Sequence, residues 1–289
     1  MLVGFAKCGT TSIQKILEHH PDIYLPKQKE TQFMYLDFEY KKGIEYYKKK
    51  YYDIPVGKYK AIGGIEPSWA GSAKRVSRYF DRNTKIIFIM RNPVDFTYSL
   101  YRMMAYLGVV SPDNVRPFRL DVCFDTELNK KRMDRKLDLW DKDFNGFYIK
   151  SIKDYLKYFP RENMLFIFLE DFIANEKKVC NDICDFLEIA QLRFIPPGAR
   201  HSNENDRFLK SYMLGILNRY FRNATFWLKE KDICDLEYSN IVGKIHNKIT
   251  VIDKSKMSIK ARTCLEALYY RSVRELEEII SMPLGKIWF

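Results

Sequence analysis

The sequence predicts an α/β protein in which helices flank a central, mostly parallel sheet. Residues 1–17 read as a short apolar strand, a glycine-bounded loop and the start of a helix. Residues 83–90 contain an unbroken apolar run, which is typical of a central parallel strand. Helix, strand and helix then alternate at 147–158, 163–169 and 171–187.

The elements between these stretches follow from apolar periodicity and from Pro and Gly breakers. In chain order they are a short extended piece, a helix, a strand and two helices: 23–25, 41–52, 61–66, 71–81 and 259–280. The charged, irregular stretch 108–146 is expected to be an insertion that forms part of a lid or acceptor cleft. The polar loop 190–207 is expected to close over a bound nucleotide. No internal repeat or low-complexity linker is present, so we expect one domain over residues 1–289.

Composition restricts the class of protein and the charge of its partner. Hydrophobic residues make up 46% of the chain, which excludes a disordered or collagen-like protein. The 49 Lys and Arg residues outnumber the 37 Asp and Glu residues, and the formal net charge is +12. This excess favours an anionic partner, for which nucleic acid, anionic glycan, phospholipid and nucleotide cofactor are all eligible.

Cysteine and histidine spacing gives no indication of a metal site. The six cysteines show no C-x-x-C pair or zinc-finger spacing, and the four histidines form no cluster. No stretch approaches the roughly 18 to 20 apolar residues of a membrane span. We therefore expect no metal, no membrane span and a cytoplasmic location. A strand that starts at residue 2 leaves room for a membrane anchor that has been removed.

The first loop has the composition of an anion site. Gly4 and Gly9 bracket it, Lys7 lies inside it, and three hydroxyl residues, Thr10, Thr11 and Ser12, follow. Such a loop directs backbone N–H groups and the positive end of a helix at one point. The alternative is a glycine turn that enters an ordinary helix, but a lysine, two glycines and three hydroxyls coincide here.

The loop resembles a Walker A motif but differs from it at the lysine. A nucleoside triphosphatase needs Lys followed by Ser or Thr after the second glycine, where this chain has Thr10 and Thr11. The lysine is instead at position 7. This arrangement favours a shorter anion, held by a lysine at the centre of the loop, over a magnesium-bound triphosphate.

A second anion site is predicted where the apolar run 83–90 ends. Arg91 follows directly, at the strand end where open α/β sheets bind ligands. Pro93 suits a first helical turn, and Ser99 of that helix is expected on the side of the strand exit. A Walker B motif would place a magnesium-binding aspartate at such a strand end. The guanidinium suits a phosphate instead.

Glu30 is a candidate general base because it stands among lysines and before aromatic residues. On the residues alone, a surface glutamate paired with Lys27 or Lys29 is the better interpretation.

Two motifs together resemble the sulfotransferases that use 3′-phosphoadenosine 5′-phosphosulfate (PAPS). Gly4-Phe-Ala-Lys-Cys-Gly-Thr-Thr11 is similar to the 5′-phosphosulfate loop of that family, and Arg91-Asn-Pro-Val-Asp-Phe-Thr-Tyr-Ser99 is similar to its 3′-phosphate motif. The resemblance implies a P-loop-type domain and PAPS as cofactor, with adenosine 3′,5′-bisphosphate as product and no metal. It implies that the cofactor is held by Lys7, Cys8, Gly9, Thr10, Thr11, Ser12, Arg91 and Ser99.

The segment Lys29-Glu-Thr-Gln-Phe33 resembles the Golgi glycan sulfotransferases and their bacterial relatives. In that branch a glutamate before the aromatic residues is the catalytic base, and it falls on Glu30. The resemblance therefore reverses the preference for a surface role. His201, which lies where the late cofactor loop of the family would be, is the other candidate. The expected acceptor is a hydroxyl or amine of a carbohydrate or small polar metabolite, with no nucleic acid as partner.

The implied chemistry has competing interpretations. Glu30 would take the acceptor proton while Lys7 stabilises the leaving phosphate. A P-loop nucleotide kinase shares the strand, loop and helix, and magnesium dependence would favour it. A basic nucleic-acid-binding protein would explain the net charge of +12, and steep salt dependence of DNA binding would favour it. A relative that binds PAPS without turnover is a third alternative.

Overall fold

The structure is a computed structural model in which nine stretches of the chain are described. They are residues 1–55, 57–106, 124–125, 128, 146–196, 207–209, 212–231, 250–252 and 255–289. Most of the expected insertion 108–146 and residues 197–206 of the polar loop, including His201, lie outside the described residues.

Contacts group the chain into two compact units. The first consists of Met1–Pro93, Asp143–Asn203 and Tyr269–Phe289, and the second of Val94–Lys142 and Glu204–Leu268. A single domain over the whole chain stays a prediction.

The described helices and strands are numbered here in chain order. The α-helices are α1 Thr10–Leu17, α2 Asp37–Lys41, α3 Ile44–Tyr51, α4 Ala73–Val76, α5 Pro93–Tyr106, α6 Tyr148–Leu156, α7 Leu169–Ala174, α8 Glu176–Phe186, α9 Tyr212–Glu230, α10 Ile259–Ile280 and α11 Leu284–Trp288. The strands are β1 Ile23–Tyr24, β2 Ala61–Ile62, β3 Ile86–Met90, β4 Met164–Phe168, β5 Arg207–Leu209 and β6 Thr250–Ile252.

The first unit contains a set of parallel pairings around residues 1–5. Strand β1 pairs with β2, and β3 pairs with β4 over five residues from Ile86 opposite Met164 to Met90 opposite Phe168. Leu2 forms parallel bridges to Ile65 on one side and to Ile87 on the other. Residues 1–5 therefore lie between the chain that follows β2 and strand β3, which confirms the predicted parallel arrangement.

Close packing in the centre of this sheet requires a glycine. A Cβ at Gly4 would lie 2.4 Å from Cγ2 and 2.7 Å from the backbone nitrogen of Ile89. The Phe5 amide donates to the Ile89 carbonyl at 3.2 Å, so the two chains cannot move apart without loss of pairing. Gly4 is thus needed for backbone approach, and it places the following loop beside the end of β3.

Aromatic side chains of α6 cover one face of the sheet. The ring of Tyr148 lies 4.4 Å from that of Phe5, and the ring of Tyr155 lies 5.4 Å from that of Phe88. All five residues of β3 are buried, as the apolar run predicts. Each fully buried side chain of this kind contributes about 1.5–3 kcal/mol relative to an exposed one.

Three predicted helices differ from the observed ones. The helix predicted over 41–52 begins only at Ile44, because Gly43 has a φ of 82° and separates α2 from α3. The helix predicted over 171–187 is divided at Asn175, whose extended backbone and side chain cap α8 by accepting from the Lys178 amide. The helix predicted over 71–81 is only Ala73–Val76.

The second unit contains an antiparallel pair of strands, most of α5, all of α9 and the first part of α10. Strand β5 pairs with β6, from Arg207 opposite Ile252 to Leu209 opposite Thr250. The buried ring of Phe124 contacts Tyr98 and Tyr101 of α5. The predicted helix 259–280 is observed with the same bounds as α10. Among the described residues, we find no helix of the length and apolar character that crossing a membrane requires.

Candidate active site

The loop between residues 5 and 10 ends in a helix N-terminus, as predicted. Lys7 and Gly9 both have left-handed backbones, with φ values of 63° and 88°, and α1 begins directly after Gly9. The amides of Ser12 and Ile13 donate to the Gly9 carbonyl at 3.0 and 3.2 Å. The N–H groups of the first helical turn point out of the helix by its geometry, and the helix dipole makes this end attractive to an anion.

The Lys7 ammonium lies in a desolvated and positively charged environment. The pKa of Lys7 is lowered to about 8, chiefly by burial and in smaller part by the charges of Arg91 and Lys29, while Glu30 opposes the shift. Arg91 approaches from the end of β3, where its Nη1 donates to the Lys7 carbonyl at 3.3 Å. Three cations from three segments therefore surround one point, which favours a bound anion with more than one negative charge.

Hydrogen bonds fix the backbone on the carboxyl side of Arg91. The Tyr148 hydroxyl donates to the Arg91 carbonyl at 3.0 Å, and the Asn92 amide donates to a carboxylate oxygen of Glu170 at 2.7 Å. The Nε atom of Arg91 is buried and has no hydrogen-bond partner among the described residues. An orphaned guanidinium N–H beside the loop fits a phosphate group, which accepts from such donors.

Cys8 has a different role from its neighbours in the loop. Its thiol is fully buried, and burial raises the pKa of that thiol to about 12. The side chain therefore stays neutral, and only the backbone of Cys8 is suited to contact an anion.

Glu30 and the loop hydroxyls converge on a single ammonium. Lys29 Nζ donates to the hydroxyl oxygens of Thr10 at 2.9 Å and Thr11 at 2.7 Å. The same Nζ lies 3.2 Å from a carboxylate oxygen of Glu30, whose side chain is 45% exposed. The structure thus brings together two predicted groups, the loop hydroxyls and Glu30, that are about 20 residues apart in the sequence.

Ser99 lies on α5, six residues after Pro93, and belongs to the second unit, whereas Arg91 belongs to the first. The shared role of Arg91 and Ser99 at a 3′-phosphate stays a prediction.

Sequence reasoning missed two residues, Lys29 and Glu66. In the sequence, Lys29 stands out only as a neighbour of Glu30, although a lysine beside a candidate base is itself a signal. Glu66 is an acid at the carboxyl end of the predicted strand 61–66, a position where sheet proteins place functional groups. It is 1% exposed, and its Oε1 accepts from the Thr31 amide at 3.2 Å and the Thr31 hydroxyl at 2.6 Å.

A cavity of about 490 Å³ lies elsewhere in the first unit, at the amino ends of the strands. Met1, Gly63 and Lys85 line it together with aromatic side chains such as Tyr47 and Trp69. None of the predicted site residues lines this cavity, so its volume gives no information about the chemistry at Lys7 and Glu30.

Residues 1–197 match the family model of the sulfotransferase domain, a stretch that contains the loop, Glu30 and Arg91. The chain belongs to this family. The match assigns it to a class of enzymes that transfer sulfate and confirms the family predicted from the two motifs. It does not favour the kinase or the nucleic-acid-binding protein.

Two curated relatives show how this sulfotransferase compares with longer proteins. It is 31% identical over 104 residues to the membrane-associated sulfotransferase kil1 of Dictyostelium discoideum, covering 35% of this chain and 22% of that protein. It is 24% identical over 197 residues to heparan sulfate glucosamine 3-O-sulfotransferase 3B1 of Mus musculus, covering 66% and 46%. The chain therefore matches less than half the length of each relative.

A solved structure gives the same fold over nearly the whole chain. The sulfotransferase from Alicyclobacillus acidocaldarius superposes with a TM-score of 0.62 at 21% identity, covering 99% of this chain and 96% of that one. This likeness confirms the predicted P-loop-type α/β fold. The individual site residues, the absence of a metal and the cytoplasmic location stay predictions.

Proposed function

We propose that this sulfotransferase moves a sulfuryl group from PAPS to a hydroxyl or amine of a carbohydrate or small polar metabolite. The observation that carries the proposal is the position of Lys29 Nζ, which contacts both loop hydroxyls and the Glu30 carboxylate. An anion-binding loop and a half-exposed carboxylate therefore share one site. Sulfuryl transfer needs both, one to bind the anionic sulfuryl donor and one to take the proton of the hydroxyl or amine that receives the sulfuryl group.

The residues of the first unit fit the phosphate groups of PAPS. The amides that begin α1, with the hydroxyls of Thr10 and Thr11, are suited to the 5′-phosphate. The orphaned Nε of Arg91 is suited to a second phosphate, and the resemblance to the family implies Ser99 for the same group. When bound, PAPS supplies the sulfuryl group, which is released as its bond to the bridging oxygen of the 5′-phosphate breaks.

Each catalytic residue then has one task. Glu30 accepts the proton of the acceptor hydroxyl or amine as the new bond to sulfur forms. Lys7, desolvated and beside Arg91, stabilises the negative charge that develops on the leaving phosphate. Lys29 keeps the Glu30 carboxylate on the loop side of the site and adds a third positive charge.

The acceptor class follows from the exposure of the base and from the resemblance to the glycan branch. With a side chain that is 45% exposed, Glu30 can reach an acceptor that remains partly in solvent, such as a sugar hydroxyl. The relative that acts on heparan sulfate glucosamine, by its name, supports a carbohydrate.

Sulfuryl transfer from ³⁵S-labelled PAPS to a panel of sugars, phenols and amine-bearing metabolites tests the proposal. We expect labelled product with at least one sugar or amine and none in the absence of enzyme. Adenosine 3′,5′-bisphosphate should inhibit at least about tenfold more strongly than ADP, because the 3′-phosphate adds charge-assisted hydrogen bonds. Equal inhibition by the two nucleotides, or transfer of phosphate from ATP with magnesium, contradicts it.

A further inference from the structure

The carboxyl group of Glu66 is directed at the residue that follows Glu30. Its Oε1 accepts two hydrogen bonds from Thr31, one from the amide at 3.2 Å and one from the hydroxyl at 2.6 Å. Its Oε2 is buried and has no hydrogen-bond partner among the described residues. A buried carboxyl is costly to the fold, so its placement against the turn at Thr31 calls for an explanation.

The backbone around Thr31 explains why it must be held. Glu30 and Gln32, on either side of it, both have a φ of 58°. Residues other than glycine seldom adopt this left-handed conformation, and it persists only where surrounding contacts enforce it. With a left-handed residue on each side of Thr31, the chain turns sharply directly after Glu30.

Glu66 is itself fixed to the sheet. Its amide donates to the Leu2 carbonyl at 2.8 Å, and the Glu30 amide donates to the carbonyl of Ile65 at 3.3 Å. The turn that carries Glu30 is thus tied to the segment 65–66 at three points, two of them through the Glu66 carboxyl. Since residues 1–5 also lead into the Lys7 loop, the same segment supports both halves of the site.

We infer that Glu66 is a positioning residue for the transfer reaction: its carboxyl group holds Thr31 so that the Glu30 carboxylate meets the acceptor in a fixed direction. The inference rests on the proposed role of Glu30 as the base. Glu66 is 1% exposed and its carboxyl group accepts from Thr31, so we place its action through Thr31 and not at the reacting groups.

The surroundings of Glu66 indicate the protonation state in which its carboxyl group holds Thr31. The pKa of Glu66 is raised to about 8, chiefly by burial and in smaller part by the charge of Glu30, while the Thr31 hydroxyl and amide and the Gln32 amide oppose the shift. The tyrosines nearby, Tyr47 of α3, Tyr52, and Tyr155 of α6, carry no charge in this pH range. Below pH 8 the carboxyl is therefore mostly neutral, and glutamine at this position keeps both its shape and its acceptor oxygen.

Three variants of the whole chain separate positioning from stability. Glu66→Ala removes both hydrogen bonds, Thr31→Val removes the hydroxyl alone, and Glu66→Gln keeps the acceptor. We expect kcat to fall about 10- to 100-fold in Glu66→Ala, since a displacement of about 1 Å at a reacting group can cost that much. Thr31→Val should show a smaller fall, and Glu66→Gln should retain kcat within a few-fold. Affinity for adenosine 3′,5′-bisphosphate, measured by calorimetry, should stay the same in all three.

Hydrogen–deuterium exchange gives a readout that needs no turnover. The peptide 27–36 should exchange faster in Glu66→Ala than in the wild type, and at the wild-type rate in Glu66→Gln. Glu39→Ala is the matched control, because Glu39 is a buried glutamate of α2 that pairs with Lys42. That variant should lose stability without a change in kcat.

The outcomes keep this inference apart from the proposed function. Unchanged kcat in folded Glu66→Ala and Thr31→Val, with Glu30→Gln inactive, overturns the role of Glu66 and leaves the base in place. A loss in Glu66→Gln as large as in Glu66→Ala also overturns it. If Glu66→Ala does not fold, Thr31→Val and Glu66→Gln decide. If Glu30→Gln stays active, the base assignment fails, and with it the catalytic meaning of Glu66, whereas exchange in 27–36 still reports whether the turn is held.

Discussion

The two loops that form the candidate site reach their conformations by different means. Lys7 and Glu30 both have left-handed backbones, with φ values of 63° and 58°. The Lys7 loop has its own glycines, Gly4 and Gly9, and leads directly into α1, while Arg91 adds a hydrogen bond to the Lys7 carbonyl. The Glu30 turn contains no glycine and is held by Glu66, which is 36 residues away.

This difference shows that one site can combine a loop stabilised mainly by its own residues with a turn stabilised by a residue far away in the sequence. The Lys7 loop has glycines at its turns, whereas the turn at Glu30 has none and is tied to residues 65 and 66 by one hydrogen bond to the Ile65 carbonyl and two to the Glu66 carboxyl. The two loops also differ in solvation, because Lys7 is desolvated and Glu30 is half-exposed. Variants at the two positions should therefore affect different steps.

The largest expected effect is at the base. Glu30→Gln should lower kcat about 10²- to 10⁴-fold, because it removes the proton acceptor and leaves the loop intact. Binding of adenosine 3′,5′-bisphosphate should not change, which calorimetry can establish. Glu45→Gln is the matched control, since Glu45 forms an exposed pair with Lys48 at 3.0 Å. Wild-type turnover of Glu30→Gln in a folded protein would falsify the assignment.

A somewhat smaller effect is expected at Lys7. Lys7→Met should lower kcat about 10²- to 10³-fold by removing a donor for the leaving phosphate. Unlike Glu30→Gln, it should also weaken binding of adenosine 3′,5′-bisphosphate, because Lys7 is part of the anion loop. Steady-state kinetics and calorimetry on both variants compare the two loops directly, with Lys48→Met as a control for loss of an exposed lysine. Identical behaviour of the Lys7 and Glu30 variants would remove the distinction between the loops.

The smallest expected effect is a pH dependence of nucleotide affinity that arises from the Lys7 loop alone. An anion binds to protonated Lys7, and its pKa of about 8 means that the charged fraction falls as pH rises above 8. Affinity for adenosine 3′,5′-bisphosphate should therefore decrease by up to about tenfold per pH unit above pH 8. Lys7→Arg keeps its charge there, so its affinity should be flat to pH 10. A wild-type affinity that is independent of pH from 7 to 10 contradicts the desolvated lysine.

Sequence reasoning succeeded where the signal is local. The loop from Gly4 to Ser12, the buried strand before Arg91 and the bounds of α10 each depend on neighbouring residues, through glycine conformation or apolar periodicity. Breaks within helices were missed, since Gly43 and Asn175 stand in otherwise helical patterns, and the left-handed backbone of Gly43 and the Asn175 cap are weaker signals than apolar periodicity.

The support of Glu30 could not be predicted in this way. The bond from Glu66 to Thr31 crosses 35 residues, and no spacing rule joins a carboxylate at a strand end to a threonine in an earlier turn. The contacts of Lys29 with Thr10 and Thr11 have the same character, because they depend on how the two loops pack. The candidate reacting groups, Lys7 and Glu30, can be predicted from the sequence. The groups that position them, such as Lys29 and Glu66, are apparent only in the tertiary structure.

The contacts of Lys29 also set the direction of the hydrogen bonds in the loop before any ligand is present. An ammonium can only donate, so the hydroxyl oxygens of Thr10 and Thr11 both act as acceptors towards it. Each hydroxyl then has its own proton to give in another direction. A sulfate or phosphate oxygen, which only accepts, suits such protons, whereas an ammonium group, which only donates, cannot accept them. Lys29 thus orients the two hydroxyls so that their protons favour a group that accepts hydrogen bonds, such as an anion.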